Sequence, residues 1–179
     1  MDDVILVDQS DREIGAMPKM EAHIQGQLHR AFSVFIFNTD GALLLQQRAF
    51  SKYHSGGKWT NTCCSHPRPG ERTADAADRR LQEEMDMACK LDAVFSFCYK
   101  AEVENGLIEH EFDHVYFGTS DILPVPDPEE VADFRYISMD DLKSSIAEEP
   151  EMYTEWFKIC FDQVMDHYEA LFVKSDFPG

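Results

Sequence analysis

The stretch SHPRPGERTADAADRRLQEEMDM, Ser65–Met87, is the most informative part of this chain about its fold. Its second half predicts an amphipathic α-helix, with Thr73 as the N-cap and Asp75 near the positive end of the helix dipole. Apolar residues four apart form the predicted buried stripe: Ala77, Leu81 and Met85. Arg80 and Glu84 are also four apart, so the helix presents a cation and a carboxylate in the same direction.

Strands are predicted on both sides of this helix, because short runs rich in β-branched and aromatic residues alternate with turn signals. These runs are Val4–Val7, Ala31–Phe37, Ala42–Arg48, Ala93–Val103, Leu107–Gly118 and Val131–Ser138. The turn Asn38–Gly41 predicts a hairpin between the second and third runs, and Asn105–Gly106 predicts one between the fourth and fifth. Glu109, Glu111 and Asp113 alternate along the fifth run, so they are predicted to share one face.

Further helices and loops complete the pattern. Residues 49–58 are predicted as a loop, Ser138 as the N-cap of a short helix, and Met152–Phe172 as the final helix. Strands before, between and after helices indicate a mixed α/β sandwich. A length of 179 residues favours a single domain, residues 1–179.

Composition excludes several classes of protein. The formal net charge of −18 argues against binding to nucleic acid or to anionic membranes. No apolar run approaches the roughly 18 residues of a membrane-spanning helix. The acidic N-terminus lacks the basic region of a signal peptide, and five cysteines are an odd number for a disulfide framework. The sequence therefore predicts a cytoplasmic protein with reduced thiols.

The same stretch carries a spaced motif. From Ser65 it reads S-x5-E-x7-R-R-L-x-E-E-x-D-M, which resembles the Nudix box, G-x5-E-x7-R-E-U-x-E-E-x-G-U, where U is aliphatic. The matching positions are Glu71, Arg79, Leu81, Glu83, Glu84 and Met87. Ser65 and Asp86 replace glycines, and Arg80 replaces a glutamate. The resemblance implies a Nudix-type α/β/α sandwich with a mixed sheet.

Arg80 changes what the box is expected to do. Nudix hydrolases gather helix carboxylates around divalent metals to cleave a diphosphate. A guanidinium in place of one carboxylate weakens such a cluster and adds a fork that binds phosphate oxygens. The box is therefore predicted to hold a diphosphate rather than to cleave it. Taken alone, RRLQEE would be the solvated charged face of an ordinary helix.

A second stretch, WTNTCCSHP at Trp59–Pro67, narrows the resemblance. It matches the form W-T-N-x-x-C-x-H of type 1 isopentenyl-diphosphate Δ-isomerases, a branch of the Nudix superfamily. The chain is similar to that family from about Lys19 to Trp156, including the stretches AFSVFIFNTDGALLLQQRAFSK and GLIEHEFDHVY. The resemblance makes Cys64 the reactive thiol, whereas Cys63 is predicted to be a small apolar residue facing the core.

The resemblance also implies the rest of the site. The family's catalytic residues correspond to Cys64, Glu111, Tyr99 and Trp156. One Mn²⁺, Zn²⁺ or Mg²⁺ ion is implied on His23, His29, His66, Glu109 and Glu111. A Mg²⁺ ion on the diphosphate is implied at Glu84 and the backbone carbonyl of Cys64. The phosphate contacts correspond to Lys19, Arg48, Lys52 and Arg80. Of the remaining histidines, His54, His110, His114 and His167 match no family position and are predicted to have no role.

The implied reaction interconverts isopentenyl diphosphate and dimethylallyl diphosphate through a carbocation-like intermediate. One proton is added to the alkene and another is removed two carbons away, so two acid/base groups are needed. Cys64 and Glu111 are the predicted pair, and the sequence leaves open which of them protonates. Trp156 is expected to stabilise the cation by about 0.5–2 kcal/mol. A monomer or weak dimer is expected. The alternatives are a Nudix diphosphate hydrolase and a non-catalytic binding module.

Overall fold

A computed structural model describes residues 2–173 of the chain. Its strands are β1 (Asp3–Val7), β2 (Glu13–Pro18), β3 (His29–Phe37), β4 (Leu43–Arg48), β5 (Trp59–Thr60), β6 (Cys63–Ser65), β7 (Asp92–Glu102), β8 (Ile108–Thr119) and β9 (Val131–Ile137). Its helices are α1 (Lys19–Gln25), α2 (Thr73–Met85), α3 (Met139–Glu148) and α4 (Glu155–Tyr168). Met1 and residues 174–179, which belong to the domain predicted from the sequence, lie outside the described residues.

The strands form a mixed sheet in which β3 is central. β3 pairs in parallel with β8 along its whole length, from His29 opposite Glu111 to Phe37 opposite Thr119. On its other side β3 pairs antiparallel with β6, and β4 pairs antiparallel with β9. The predicted hairpin of β7 and β8 is confirmed, and Asn105 and Gly106 both have the positive φ that its tight turn requires.

Successive side chains of β3 point to opposite faces of the sheet, so the hydrophobic core has one part on each face. Phe32, Val34 and Ile36 pack with α2, where the predicted stripe of Ala77, Leu81 and Met85 is fully buried. Phe35 and Phe37 face the other way and pack with α3 and α4 through Leu142, Trp156 and Phe157. The sheet therefore lies between helices, which confirms the predicted α/β/α sandwich with a mixed sheet.

Several element boundaries predicted from the sequence are wrong. Thr73 is the first helical residue of α2 rather than its N-cap, and the capping position is Arg72, whose side chain makes no capping hydrogen bond. The final helix begins at Glu155 instead of Met152 and ends at Tyr168, followed by a π-helical turn over Glu169–Val173. Ser138 does cap α3, because its side chain accepts a hydrogen bond from the backbone N–H of Asp141.

The predicted hairpin of Ala31–Phe37 with Ala42–Arg48 exists only at its closed end. Phe37 pairs with Leu43, and beyond that pair β3 and β4 diverge to pair with other strands. The opening between them receives β5 and β6, which belong to the stretch WTNTCCSHP. Within residues 2–173, no helix is both long and apolar enough to span a membrane.

Candidate active site

Polar side chains hold the segment between β5 and β6 in the opening between β3 and β4. The Thr62 hydroxyl accepts a hydrogen bond from the Ile36 N–H at 2.9 Å and donates to the Leu44 carbonyl at 2.6 Å. The Asn61 side-chain amide donates to the carbonyls of Val34 and Cys63. These bonds satisfy backbone groups that the diverging strands leave unpaired. The opening therefore requires side chains that can form hydrogen bonds at positions 61 and 62.

The two adjacent cysteines point to opposite faces of β6. Cys63 is fully buried among the residues that pack against α2, as predicted for a small apolar side chain. Cys64 lines a cavity of about 340 Å³ on the other face. Burial raises the pKa of the Cys64 thiol, against the opposing effect of Arg48, so the thiol carries its proton at neutral pH.

The acidic face of β8 is buried under this cavity. Glu109, Glu111 and Asp113 are each at most 6% exposed, and Glu109 and Glu111 line the cavity. The Tyr99 hydroxyl on β7 lies 2.9 Å from Glu109 Oε2 and 2.7 Å from Glu111 Oε2. One phenol thus holds two carboxyl groups in fixed orientation. Burial and the neighbouring charge of Glu111 raise the pKa of Glu109.

Three histidines surround Glu111 from three different elements. His23 comes from α1, His29 from the start of β3 directly opposite Glu111, and His66 from the residue after β6. His66 Nε2 lies 2.9 Å from Glu111 Oε1, and His29 Nε2 lies 3.4 Å from the same oxygen. The four residues offer ligand atoms that all lie within 4.8 Å of one another, so they could hold a metal ion.

The electrostatics of this group fit a metal ion. The Nε2 atoms of His23 and His29 are buried and have no hydrogen-bond partner among residues 2–173. Burial lowers the pKa of His23 and of His66 to about 4, which keeps both imidazoles in the neutral form that ligates metals. Burial alone would raise the pKa of Glu111, but His29 and His66 hold it well below its usual range.

Cations also line the same cavity. The predicted phosphate contacts, Lys19, Arg48, Lys52 and Arg80, all face it. Arg48 is largely buried, its Nη2 donates to the His54 carbonyl at 3.3 Å, and its Nε has no partner in the described chain. Lys52 forms an ion pair with Glu130. In a chain with a net charge of −18, this is a local concentration of positive charge.

Arg80 and Glu84 lie side by side on α2, as the four-residue spacing predicts. Arg80 Nη2 donates to Glu84 Oε1 at 2.7 Å, and Arg80 Nη1 donates to Glu83 at 2.7 Å. The other oxygen of Glu84 accepts a hydrogen bond from Gln46 at 2.9 Å. The Nε of Arg80 has no partner among the described residues, although it is buried beside the cavity.

Trp156 forms part of the cavity wall from the start of α4. Its indole N–H donates to Asn61 Oδ1 at 3.3 Å, and the Arg48 guanidinium lies 5.3 Å from its ring centroid. The structure thus brings every predicted site residue to one cavity or its immediate boundary. His23, His29 and Tyr99 do not line the cavity, but they contact residues that do.

His54 is a histidine at the site to which the sequence assigned no role. It lies in the loop after β4, lines the cavity, and joins His23 and Glu109 in a second group that could hold a metal ion. The sequence offered one indication of this placement, because His54 lies two residues after Lys52, a predicted phosphate contact. The other histidines without a predicted role, His110, His114 and His167, are not among these groups.

Comparison with known proteins agrees with this geometry. The NUDIX domain family matches residues 27–157. The isopentenyl-diphosphate Delta-isomerase of Pectobacterium atrosepticum is 51% identical over 94% of this chain and 94% of its own length. The chain belongs to the isopentenyl-diphosphate Delta-isomerase family. A second relative, isopentenyl-diphosphate Delta-isomerase 1 of Aromatoleum aromaticum, is 54% identical over 92% of this chain and 93% of its own.

Solved structures show the fold of this isomerase family member independently. The crystal structure of DR0079 from Deinococcus radiodurans superposes with a TM-score of 0.67, covering 82% of this chain and 89% of that one at 20% sequence identity. The likeness confirms the Nudix fold predicted from the box. At that identity it says nothing further about the reaction of the isomerase.

Proposed function

We propose that this protein is an enzyme that interconverts isopentenyl diphosphate and dimethylallyl diphosphate. The observation that carries the proposal is one cavity lined both by cations and by groups suited to proton transfer. The cavity is lined by Lys19, Arg48, Lys52 and Arg80 together with Cys64, Glu111 and Trp156, and the histidine group lies against it. A substrate with an anionic diphosphate and a short apolar alkene matches that combination.

Electrostatics would orient the substrate. A diphosphate entering a chain of net charge −18 needs local cations, and four of them line the cavity. The partly unpaired guanidiniums of Arg48 and Arg80 are suited to phosphate oxygens, which accept charge-assisted hydrogen bonds in a planar fork. The diphosphate anchored there would direct the five-carbon chain towards Cys64 and Glu111.

Proton transfer is assigned to Cys64 and Glu111. One group adds a proton to a terminal carbon of the alkene, the positive charge forms on the tertiary carbon, and the other group removes a proton from the far side of the allyl unit. Cys64 has a protonated thiol, and Glu111 has a lowered pKa and a hydrogen bond from Tyr99. Trp156 would face the developing cation with its π-electrons.

Two ions complete the proposal. His23, His29, His66, Glu109 and Glu111 would hold one Mn²⁺, Zn²⁺ or Mg²⁺ ion, whose charge would fix the orientation of Glu111 and lower its basicity. A Mg²⁺ ion would accompany the diphosphate at Glu84 and the Cys64 carbonyl. The enzyme would act in the cytoplasm as one domain, as a monomer or weak dimer, without nucleic acid or membrane partners.

A Nudix hydrolase is the weaker alternative. Hydrolysis would need several metal ions on a cluster of carboxylates of α2. Arg80 replaces one of those carboxylates and binds both Glu83 and Glu84. A non-catalytic binding module is also disfavoured, because proton-transfer residues line the cavity.

An isomerisation assay with metal-stripped protein, restored one metal at a time, tests the proposal. Isotopically labelled isopentenyl diphosphate is the substrate, and both the product alkene and released phosphate are measured. We expect dimethylallyl diphosphate to form, no phosphate release, and activity only after metal is restored. Phosphate release without alkene migration would favour the hydrolase, and tight binding without turnover would favour the binding module.

A further inference from the structure

His54 reaches the metal-binding group from an element that holds none of the other proposed ligands. It lies in the loop between β4 and β5 and is 3% exposed. Its Nε2 lies 3.1 Å from Glu109 Oε1. The ligand atoms of His23, His54 and Glu109 all lie within 4.8 Å of one another. Because His23 belongs to both groups that could hold an ion, the two groups meet at the same place.

The ring of His54 is held in the same way as those of two proposed ligands. His23 and His29 each have Nδ1 at 2.7–2.8 Å from a backbone carbonyl, which leaves Nε2 directed at the shared space. His54 has Nδ1 at 3.1 Å from the Ser55 hydroxyl. In metal sites such an oxygen partner on one ring nitrogen fixes the ring and presents the other nitrogen to the ion.

The Nε2 atom of His54 pairs with Glu109 Oε1 at 3.1 Å without the angle of a hydrogen bond, and this buried atom has no hydrogen-bond partner within residues 2–173. The same is true of His29 Nε2, which lies 3.4 Å from Glu111. A buried nitrogen without a partner costs free energy unless a ligand binds it.

Within each of the two groups, the nitrogen–oxygen spacings are close to the edge of an octahedron. With metal–ligand distances of about 2.1 Å, neighbouring ligand atoms lie about 3.0 Å apart. The nitrogen–oxygen distances are 2.9 Å for His66–Glu111, 3.1 Å for His54–Glu109 and 3.4 Å for His29–Glu111. The ligand atoms of the two groups do not all lie within 4.8 Å of one another, so a single ion would draw the side chains of both groups towards the His23 that they share.

We propose that His54 is the sixth protein ligand of this ion, which would then be bound by four imidazole nitrogens and two carboxylate oxygens. The inference rests on the metal centre of the proposed function and deepens it. Six protein ligands would leave no position for water or substrate, as in closed structural sites. The ion would therefore fix Glu109 and Glu111 without binding the substrate directly.

The loop that carries His54 is fixed at the tip of the β7–β8 hairpin. Ser55 has a φ of 53°, an unfavourable value for a non-glycine residue, and its N–H donates to Glu104 Oε2 at 3.0 Å. Asn105 donates to the Tyr53 carbonyl at 3.0 Å. A conformation of this kind persists only where its surroundings enforce it, and here it directs His54 into the site.

Two measurements on the full chain count the ligands. X-ray absorption of the Zn²⁺-loaded protein counts imidazole nitrogens, and water-proton relaxation of the Mn²⁺-loaded protein counts water molecules bound to the ion. We expect one ion per chain, four imidazoles and no bound water in the wild type. His54→Ala should show three imidazoles and gain one bound water. His167→Ala, which removes a half-buried imidazole of α4 outside both groups that could hold an ion, should behave as the wild type.

The outcomes separate this inference from the metal centre itself. One ion with three imidazoles and a bound water in the wild type would overturn the role of His54 while leaving the five-ligand site intact. A wild type that binds no ion would overturn both. Because the wild-type count alone decides between four and three imidazoles, the test stands even if His54→Ala fails to fold.

Discussion

Arg80→Glu restores the glutamate of the Nudix box at the position where this chain departs from it. In the structure the Arg80 guanidinium binds Glu83 and Glu84, both at 2.7 Å, and lies 3.4 Å from Glu130. The substitution removes a phosphate-binding fork from the cavity and places a carboxylate among three others. We therefore expect it to weaken both substrate binding and folding.

The two effects have different sizes. Losing charge-assisted hydrogen bonds to a phosphate costs about 1.5–3 kcal/mol. At about 1.4 kcal/mol for each factor of ten, kcat/KM should fall about 10- to 150-fold. Breaking a buried ion pair by removing one partner costs about 3–5 kcal/mol. Because the Arg80 side chain is 20% exposed, we expect a loss of unfolding free energy near the lower end, about 3 kcal/mol.

The assay is steady-state isomerisation at saturating Mg²⁺, with urea unfolding of each variant measured separately. Arg72→Glu is the matched control, because it changes the net charge equally from a side chain that is 80% exposed at the start of α2. Arg80→Lys keeps the charge but removes the fork, so it should lose less activity than Arg80→Glu. If folded Arg80→Glu retains the wild-type KM and kcat, Arg80 does not contact the diphosphate.

Two further predictions concern the thiol and the metals. Cys64→Ala should nearly abolish isomerisation while its circular dichroism spectrum shows an intact fold. Cys63→Ala should keep most activity and lose about 1 kcal/mol or less of unfolding free energy, because the change to a similarly small side chain is nearly volume-conserving. An inactive Cys63 variant beside an active Cys64 variant would show that the assignment of the two thiols is reversed. Purified protein should carry about one tightly held ion yet need added Mg²⁺ for turnover, since Glu84 with one carbonyl is too sparse to hold Mg²⁺ without the diphosphate. His66→Ala should lose the resident ion, whereas Glu84→Gln should keep it but require more Mg²⁺ for turnover. Metal analysis and a Mg²⁺ titration of both variants check this. Loss of the resident ion from Glu84→Gln and its retention in His66→Ala would contradict the proposed division of ligands between the two ions.

Local patterns were sufficient for much of the fold. The four-residue spacing of Ala77, Leu81 and Met85 predicted the buried face of α2, because a helix repeats every 3.6 residues whatever it packs against. The period of two along β8 placed Glu109 and Glu111 on one face, which the structure buries under the cavity. The spacing of the Nudix box and the stretch WTNTCCSHP identified the family.

The structure corrected those predicted boundaries and strand pairings that depend on residues distant in sequence. Thr73 has the chemistry of an N-cap, but α2 begins with it, since the path of the chain from β6 sets where helical geometry starts. The apolar runs Ala31–Phe37 and Ala42–Arg48 predict a complete hairpin. They pair only at Phe37 and Leu43, because Asn61 and Thr62 offer the diverging backbones other hydrogen-bond partners.

The metal-binding group shows where prediction from residue patterns ends and where strand pairing and loop contacts become necessary. The sequence supplied the residue types and, through the family resemblance, five of the side chains. His54 matches no position of the family, and the role proposed for it depends on a loop fixed by Glu104 and Asn105, some fifty residues away in the chain. The period at which side chains point in the same direction follows from local backbone geometry. The meeting of distant side chains around one ion depends on strand pairing and on loop contacts, which exist only in the folded chain.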